Sequence, residues 1–201
     1  MKAILIRLGT VLSYIYTPRM AWSVGFVRSL IYTGWKRRSF RCMDGFLNYP
    51  VGTQGEECIS IGSRTVIGSG SLITAWAGYA GGTFRPEITI GGNCRIGQYN
   101  HITAVGRITI GNGVQTGRYV LVSDNSHGTG ASDTPPHERQ LTTKGPVTIE
   151  DNVWIGDNTI ILSGVHIGKG AVIGANSVVN KDIPEGCTAV GAPARVVKTK
   201  K

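Results

Sequence analysis

Four histidines are the side chains in this sequence with the widest choice of chemistry. They are His101, His127, His137 and His166. Because imidazole gains and loses a proton near neutral pH, each could act as a general base. His127 is the first candidate, since it directly precedes an irregular stretch, 128–146, and long irregular loops inside compact folds are usually functional. His101 is the second candidate, and His166 is interpreted as a surface residue.

The spacing of the histidines and cysteines argues against a metal centre. A site of three histidines on adjacent strands needs two of them about five residues apart, whereas His127 and His137, the closest pair, are ten residues apart. The cysteines show no C-x-x-C pairing, and we expect them to be reduced and to pack as small apolar groups. They are Cys42, Cys58, Cys94 and Cys187.

A six-residue repeat positions these side chains. Each unit begins with a branched aliphatic residue, with the single exception of Thr116. The units begin at Ile61, Ile67, Ile73, Ile90, Ile96, Ile102, Ile110, Thr116, Val122, Ile149, Ile155, Ile161, Ile167, Ile173 and Val179. Such a period predicts a coil with three flat faces, in which the aliphatic side chains point inward and stack on those of neighbouring coils.

Glycine gives the repeat a second period of eighteen residues. In four of the five triplets, glycine follows the aliphatic residue in the first two units but not in the third. The third units carry instead Thr74, Thr103, Ser123, Leu162 and Asn180. We expect the glycines at the corners of the coil, where turns tolerate them best. A β-sandwich would show alternating strands with turns every 8–12 residues, so the pattern favours a parallel β-solenoid.

Three parts of the chain are expected. Residues 1–45 form a helical segment, because Ile4, Leu8, Val11 and Ile15 share one face and the pattern resumes after Pro18. Residues 46–185 form the repeat domain, with a small insertion at 78–87 and an excursion loop at 128–146. Residues 186–201 form a basic tail. Arg7 interrupts the apolar N-terminus, so neither a cleaved signal peptide nor a spanning helix is expected.

The N-terminal segment leaves two interpretations open. The chain carries a net charge of +9, which suggests a polyanionic partner such as a nucleic acid, a membrane surface or a phosphorylated cofactor. With Trp22, Trp35 and the basic stretch 36–41, residues 1–45 could lie on an anionic membrane. Alternatively they cap the end of the solenoid or pack on a neighbouring subunit, and this interpretation is slightly favoured.

The sequence resembles the left-handed β-helix acyltransferases over roughly residues 58–200. The resemblance rests on the hexads, on "SDNSHG" (123–128), on "NVWIGDNTIILSGVHIGKGAVIGANSVVNKDIP" (152–184) and on "AVGAPARVVK" (189–198). Galactoside and maltose O-acetyltransferases and the sugar O-acetyltransferases of surface-polysaccharide pathways are the most similar members. The implied fold is all-β: a left-handed parallel β-helix of about five three-sided coils with a protruding loop, plus the N-terminal helical segment.

The family resemblance also implies a homotrimer with active sites in the grooves between neighbouring prisms, and acetyl-CoA as the donor. It assigns His127 as the catalytic base. Asp124 and Asn125 could orient His127 or bind sugar hydroxyls, or they could simply satisfy the backbone of a turn. The candidates for acceptor binding are Asn100, His101, Asp124, Asn125 and His137.

The coenzyme side of the site is also implied by the resemblance. Trp154 lies along the pantetheine arm in that pattern, and Arg195 and Lys198 face the phosphates. The alternative for the basic tail is a solvated terminus. From the pantetheine arm through the adenine to the phosphates, the matching residues are Trp154, Asp157, Ala175, Asn180, Lys181, Arg195 and Lys198.

The resemblance therefore implies a cytoplasmic, acetyl-CoA-dependent O-acetyltransferase with no metal and no nucleic-acid partner. Its acceptor would be a sugar hydroxyl in surface-polysaccharide or lipopolysaccharide biosynthesis, attacking directly with His127 as general base. Contact with the inner membrane face through residues 1–45 stays open. Serine or an antibiotic is the alternative acceptor, and a γ-type carbonic anhydrase or a non-catalytic prism protein is a more distant alternative.

Overall fold

A computed structural model describes residues 2–15, 17–128 and 133–199 of the chain. Two helices come first, α1 (Lys2–Ile15) and α2 (Pro18–Lys36). The Thr17 hydroxyl accepts the Met20 N–H at 3.3 Å and so caps the start of α2. No helix in the described part of the chain is long and apolar enough to cross a bilayer.

Short strands make up most of the remaining chain. In chain order they are β1 (Cys42–Met43), β2 (Phe46–Leu47), β3 (Gly52–Gln54), β4 (Ile59–Ile61), β5 (Val66–Ile67), β6 (Leu72–Ala75), β7 (Gly78–Tyr79), β8 (Gly82–Thr83), β9 (Glu87–Ile90), β10 (Arg95–Ile96), β11 (His101–Ala104), β12 (Arg107–Ile110), β13 (Gln115–Thr116), β14 (Leu121–Ser123), β15 (Ser126–His127), β16 (Leu141–Thr142), β17 (Val147–Ile149), β18 (Trp154–Ile155), β19 (Ile160–Ile161), β20 (His166–Ile167), β21 (Val172–Ile173), β22 (Val178–Val179), β23 (Thr188–Val190) and β24 (Arg195–Lys198).

Three parallel sheets form the faces of a prism. Sheet 1 has the order β1-β4-β9-β12-β17-β20, and sheet 3 has the order β3-β6-β11-β14-β19-β22. Sheet 2 has the order β2-β5-β10-β13-β18-β21-β23-β24, and only its last strand, β24, runs antiparallel to its neighbour. Because the chain visits the three sheets in turn, each coil contributes one strand to each face. The prediction of a mostly β, parallel fold with an N-terminal helical part is confirmed.

Inward aliphatic residues stack in rows along the prism. In sheet 1 one row contains Ile61, Ile90, Ile110, Ile149 and Ile167, all buried. The matching rows in sheets 2 and 3 are Leu47, Ile67, Ile96, Thr116, Ile155, Ile173, Ala189 and Ile73, Ile102, Val122, Ile161, Val179. Burial of each such side chain contributes about 1.5–3 kcal/mol, so the rows stabilise a prism that has no globular core. The predicted six-residue frame is confirmed.

The glycines after the aliphatic residues have a different role from the one expected. A Cβ atom on Gly62 would lie 2.7 Å from the carbonyl carbon of Gly91 in the next coil. At these corners the left-handed residue stands three positions after the aliphatic residue and is often not glycine, as at Asn93 and Asn152. Glycine is therefore required because successive coils approach closely, and asparagine tolerates the positive φ of the turn.

The ends of the repeat domain differ from the predicted boundaries. Strand β1 lies inside the segment 1–45 that was predicted to be helical, because Met43 pairs with Ile61 at the edge of sheet 1. At the other end, β23 still pairs in parallel with β21, although it lies beyond residue 185. Residues 195–198 of the basic tail are not free in solvent as a solvated terminus would be, since β24 folds back onto β23.

Candidate active site

His127 stands where the chain leaves sheet 3. Strand β15 follows β14 after two residues and pairs in antiparallel fashion with β16, so that His127 is opposite Leu141. This pair forms the base of the excursion loop, of which residues 129–132 lie outside the described part. The His127 side chain is exposed. Its backbone position is determined by the pair β15–β16, which is joined to the rigid prism.

Tyr79 contacts His127 from the insertion that forms the hairpin β7–β8. The two rings lie 5.3 Å apart and edge to face. The Tyr79 hydroxyl donates a hydrogen bond of 2.7 Å to the carbonyl of His137, so the hairpin is joined to the excursion loop. Tyr79 was not predicted from the sequence, in which its only signal is the break in the hexads at 78–87.

A groove of about 260 Å³ lies between this base and the corner of sheet 3. It is lined by Asn125, Ser126, Thr142, Lys144, Leu162, Ser163 and Asn180. Leu162 and Asn180 are two of the five residues that stand in place of glycine in the third units, and their side chains line the groove. Asn125 from the predicted acceptor side and Asn180 from the predicted coenzyme side thus share one cavity.

Ser163, which was not predicted from the sequence either, connects the groove wall to the returning loop. Its hydroxyl accepts the Lys144 N–H at 2.7 Å and donates to the carbonyl of Asp124 at 2.8 Å. The two ends of the excursion are therefore held on one side chain of the next coil. This arrangement fixes the start of β15 and with it the backbone that carries His127.

Two predicted acceptor-binding residues are corrected by the structure. Asn100 is only 2% exposed; its amide nitrogen donates to the Thr116 hydroxyl and its oxygen accepts the Val120 N–H at 2.8 Å. Asp124 has no exposed surface, and its carboxylate oxygens accept the N–H groups of Val105 and Gly106 at 2.9 and 2.8 Å. Both side chains serve the interior, because a buried polar group must be paired. Neither side chain is exposed enough to contact an acceptor from the surface.

Asn125 is half-buried beside Asp124. Its side-chain amide donates to the carbonyl of Thr103 at 3.2 Å and to the Asp124 carboxylate at 3.1 Å. The amide oxygen takes no part in these two bonds, and the residue lines the groove. Of the two interpretations for this pair, the structure gives the turn-satisfying role to Asp124 and leaves Asn125 at the groove.

The other candidate histidines lie in different surroundings. His101 is half-buried on sheet 3, and its Nε2 lies 3.5 Å from the Thr74 hydroxyl. Burial lowers the pKa of His101 below its ordinary value, which favours the neutral imidazole. His137 is exposed, with Nε2 3.5 Å from a carboxylate oxygen of Glu138. Within the described residues, no three His, Cys, Asp or Glu side chains are grouped so that they could hold a metal ion.

The predicted coenzyme residues follow one face of sheet 2 and the adjoining corners. Trp154 is 54% exposed and occupies an outward row that continues through Val172 and Thr188 to Lys198. Neighbouring strands are about 4.8 Å apart, so the backbones of Trp154 and Lys198, three strand spacings apart, are separated by about 14 Å. An aromatic surface and a cation thus lie on one face at a separation that suits an extended ligand.

The remaining coenzyme candidates lie at exposed turns or on β24. The Asp157 carboxylate accepts the Arg118 N–H at 2.7 Å, and Ala175 stands at the equivalent corner one coil further on. Lys181 is exposed directly after Asn180. Arg195 is held on β24, where its guanidinium donates to the carbonyl of Ala194 at 2.8 Å. The backbone that carries Arg195 and Lys198 is therefore held on sheet 2, while both side chains are exposed.

Comparison with known proteins gives consistent matches along the prism. Residues 146–181 match the family described as bacterial transferase hexapeptide (six repeats). WbbJ of Escherichia coli K12, whose name assigns it to lipopolysaccharide biosynthesis as an O-acetyl transferase, is 30% identical over 159 residues. That alignment covers 76% of this chain and 77% of WbbJ.

Two solved structures share the fold. The hexapeptide-repeat acetyltransferase VCA0836 from Vibrio cholerae superimposes with a TM-score of 0.55 and 26% identity, covering 86% of this chain and 81% of its own. AntD, an N-acyltransferase from Bacillus cereus, was solved with dTDP and 3-hydroxybutyryl-CoA. It gives a TM-score of 0.68 at 22% identity, covering 85% of this chain and 88% of its own, and at that identity the likeness is one of fold.

Proposed function

Because the chain belongs to the hexapeptide-repeat acyltransferase family, we propose that it transfers an acetyl group from acetyl-CoA to a sugar hydroxyl. The proposed pathway is the biosynthesis of a surface polysaccharide or lipopolysaccharide, the role that the name of WbbJ carries. The CoA thioester as donor agrees with the acyl-CoA bound to AntD, whose fold is shared. The left-handed coil and a homotrimer with sites between prisms are part of the same proposal.

One observation carries this proposal: a single groove at the root of the excursion joins the two halves of the predicted site. Asn125 and Asn180 line it together, and His127 follows two residues after Asn125. Transfer between two bound substrates requires such a junction, because alignment of the reacting groups supplies much of the rate enhancement. The rigid backbone of β15 and its partner strand supports precise placement of the imidazole.

The proposed reaction is direct attack without a covalent enzyme intermediate. The His127 imidazole takes the proton of the acceptor hydroxyl as its oxygen bonds to the thioester carbonyl carbon. The tetrahedral oxyanion then collapses, the carbon–sulfur bond breaks, and the imidazolium returns the proton to the CoA thiolate. The products are the acetyl ester and CoA with a free thiol, and the histidine ends in its starting state.

The coenzyme is proposed to lie along the exposed row of sheet 2 and around its corner. Trp154 would provide an apolar surface for the pantetheine arm, with Asp157 and Ala175 at the corners that it passes. Lys181 would contact the adenine end, whereas Asn180, which the resemblance also assigns there, would line the groove in which the thioester end of the coenzyme meets the acceptor. Arg195 and Lys198 would bind the phosphates, for which fixed cations are suited.

A thiol-release assay tests the proposed function directly. Acetyl-CoA is supplied with a panel of acceptors: sugars and glycans with free hydroxyls, their amino-sugar counterparts, serine, and a hydroxyl-bearing antibiotic. We expect CoA release that depends on a sugar hydroxyl and a product heavier by one acetyl group in mass spectrometry. Release only with serine or an antibiotic would replace the acceptor class. An amino sugar acetylated on its nitrogen would show that the acceptor atom is nitrogen rather than oxygen. The absence of both CoA release and acetyl-CoA binding would contradict the proposal.

A further inference from the structure

Helix α2 packs on the first coil through its polar side. Ser29 and Thr33 accept the backbone N–H groups of Tyr49 and Leu47, each at 3.0 Å. Lys36 forms an ion pair of 2.7 Å with Glu56. Tyr32 donates to the carbonyl of Val51. The helix is thereby fixed on the prism by polar contacts and by ring contacts of Phe26 and Tyr32. Most surface helices instead bury an aliphatic stripe.

The opposite side of α2 is apolar and exposed. We call it the outer face; it consists of Met20, Val24, Val27, Ile31 and Trp35. At 100° per residue these side chains fall within one stripe, and Ile31 and Trp35 are 68% and 72% exposed. An apolar groove of about 520 Å³ runs along this stripe, with Tyr49 and Arg28 at its side. The polarity of α2 is thus the reverse of that in a helix that faces water.

Helix α1 presents apolar residues to its surroundings as well. Ile4, Leu5, Ile6 and Val11 are each about 60% exposed. A helix of fourteen residues is marginal in water without packing. Both helices therefore expose apolar surface at the same end of the sequence, and this surface is larger than scattered single residues would give.

The charge of the chain is concentrated in the same segment. Residues 1–43 contain eight Lys and Arg residues and no Asp or Glu, whereas the rest of the chain has 13 basic and 12 acidic residues. Nearly the whole net charge of +9 thus belongs to the helices and the residues just after them. Like charges on two copies would repel if this surface paired with itself, which argues against a second copy as its partner.

From the apolar outer face and this charge, we propose that α1 and α2 bind the surface of an anionic lipid bilayer. Apolar side chains with flanking cations are the features that hold an interfacial helix at the boundary of headgroups and acyl chains. The polar inner side of α2 keeps the prism attached to the membrane-bound helix. This inference is independent of the acetyl-transfer reaction, and it explains why the cap on the first coil has an apolar exterior.

Vesicle co-sedimentation of the full chain tests the proposal. We expect the protein to sediment with vesicles of phosphatidylcholine and phosphatidylglycerol, to bind pure phosphatidylcholine vesicles at least tenfold more weakly, and to be released by salt. Equal binding to neutral and anionic vesicles, or no binding to either, would overturn it. Acetyltransferase activity is not part of the readout, so failure here leaves the proposed function standing.

Two double variants separate the apolar and electrostatic contributions. Ile31→Ser/Trp35→Ser and Arg19→Gln/Arg38→Gln should each lower partitioning roughly tenfold or more, since each cation near an anionic surface is worth about a fivefold change. Arg64→Gln/Lys169→Gln removes two exposed cations from the prism and should leave binding unchanged. Equal losses in that control would show that net charge alone is responsible and would contradict a dedicated surface.

Tryptophan quenching by brominated lipids keeps the test independent of folding defects. Wild-type fluorescence should be quenched by bromine on the acyl chains, and Trp35→Phe should retain binding but lose much of the quenching. The matched variant Trp76→Phe, altered in the prism, should retain the quenching. The proposal is wrong if the wild type does not bind vesicles and light scattering shows that Ile31→Ser/Trp35→Ser dissociates its oligomer. The outer face would then be an interface between copies of the chain.

Discussion

His101 carries the pH dependence that can be derived at the scale of single residues. Burial lowers its pKa in the folded chain from the ordinary value of 6.5, so the unfolded chain binds this proton first as the pH falls. The stability that depends on neutral His101 is therefore complete above pH 6.5 and is lost as the pH decreases below it. We expect the free energy of unfolding to fall more between pH 7.5 and 5.5 for wild type than for His101→Gln. Urea titrations measure this free energy at both pH values. An equal fall for wild type and His101→Gln would contradict the prediction.

Arg195 and Lys198 allow a test of the coenzyme side. We expect Arg195→Ala to weaken CoA binding roughly tenfold at low salt, because a charge-assisted hydrogen bond to phosphate is lost. The difference from wild type should shrink as salt is added. Calorimetric titration measures both effects, and Lys169→Ala, an exposed cation on another corner, serves as the control. An unchanged affinity for Arg195→Ala would remove the tail from the site.

Single residues also show where prediction from sequence fails. Asn100 and Asp124 have polar side chains of the kind that bind ligands, yet both accept hydrogen bonds from backbone N–H groups inside the prism. The signal for Asn100 was present at Thr116, because a polar residue in an aliphatic row needs a partner. Nothing comparable marked Asp124, whose two backbone partners lie in the preceding coil. Orientation at a corner depends on neighbours that are distant in sequence.

At the scale of elements, α2 depends on the hydrogen bonds of its polar side. The Thr33 hydroxyl is the partner of the Leu47 N–H. Thr33→Val keeps the shape of the side chain but leaves this N–H unpaired, and we expect it to lower the free energy of unfolding by about 1–3 kcal/mol. Thr33→Ser retains the hydroxyl, and its free energy of unfolding should differ from that of wild type by well under half of that amount. Urea unfolding measures both variants; equal stability of Thr33→Val and wild type would show that α2 is fixed by other contacts.

The parallel strands were predictable because each hexad repeats a local pattern. Inward aliphatic residues at a period of six leave few alternatives to a three-faced coil. The antiparallel pairs β15–β16 and β23–β24 were not predicted, since their pairing depends on where an irregular segment returns. The physical role of the glycines was also missed: the close approach of coils becomes visible only when the coils are stacked.

At the scale of the whole molecule, we expect three prisms to assemble. The proposed site lies in an open groove on one prism, and the family resemblance places the second wall on a neighbour. Light scattering should then give a mass of about 64 kDa, three times the chain mass of 21.4 kDa. The Ile31→Ser/Trp35→Ser variant should have the same mass, because the outer face is assigned to membrane. A monomer that is fully active would contradict the shared site.

The helical segment and the prism differ in net charge. The helical segment carries nearly all of the net charge, and the prism, which is proposed to bind the coenzyme, is almost neutral overall. Attraction to the phosphates must therefore come from locally fixed cations, such as those on β24, rather than from the field of the whole prism.

The turnover of His127→Ala, measured together with its affinity for CoA, tests the central claim most directly. Loss of a general base lowers turnover by ~10²–10⁴ while the coenzyme contacts persist. We expect that fall in kcat with a CoA dissociation constant within about twofold of wild type, and near-normal kcat in the control His166→Ala, whose imidazole pairs with Glu150 on another face. A His127→Ala enzyme that turns over at the wild-type rate would contradict the assignment of the base and, with it, the site at the root of the excursion.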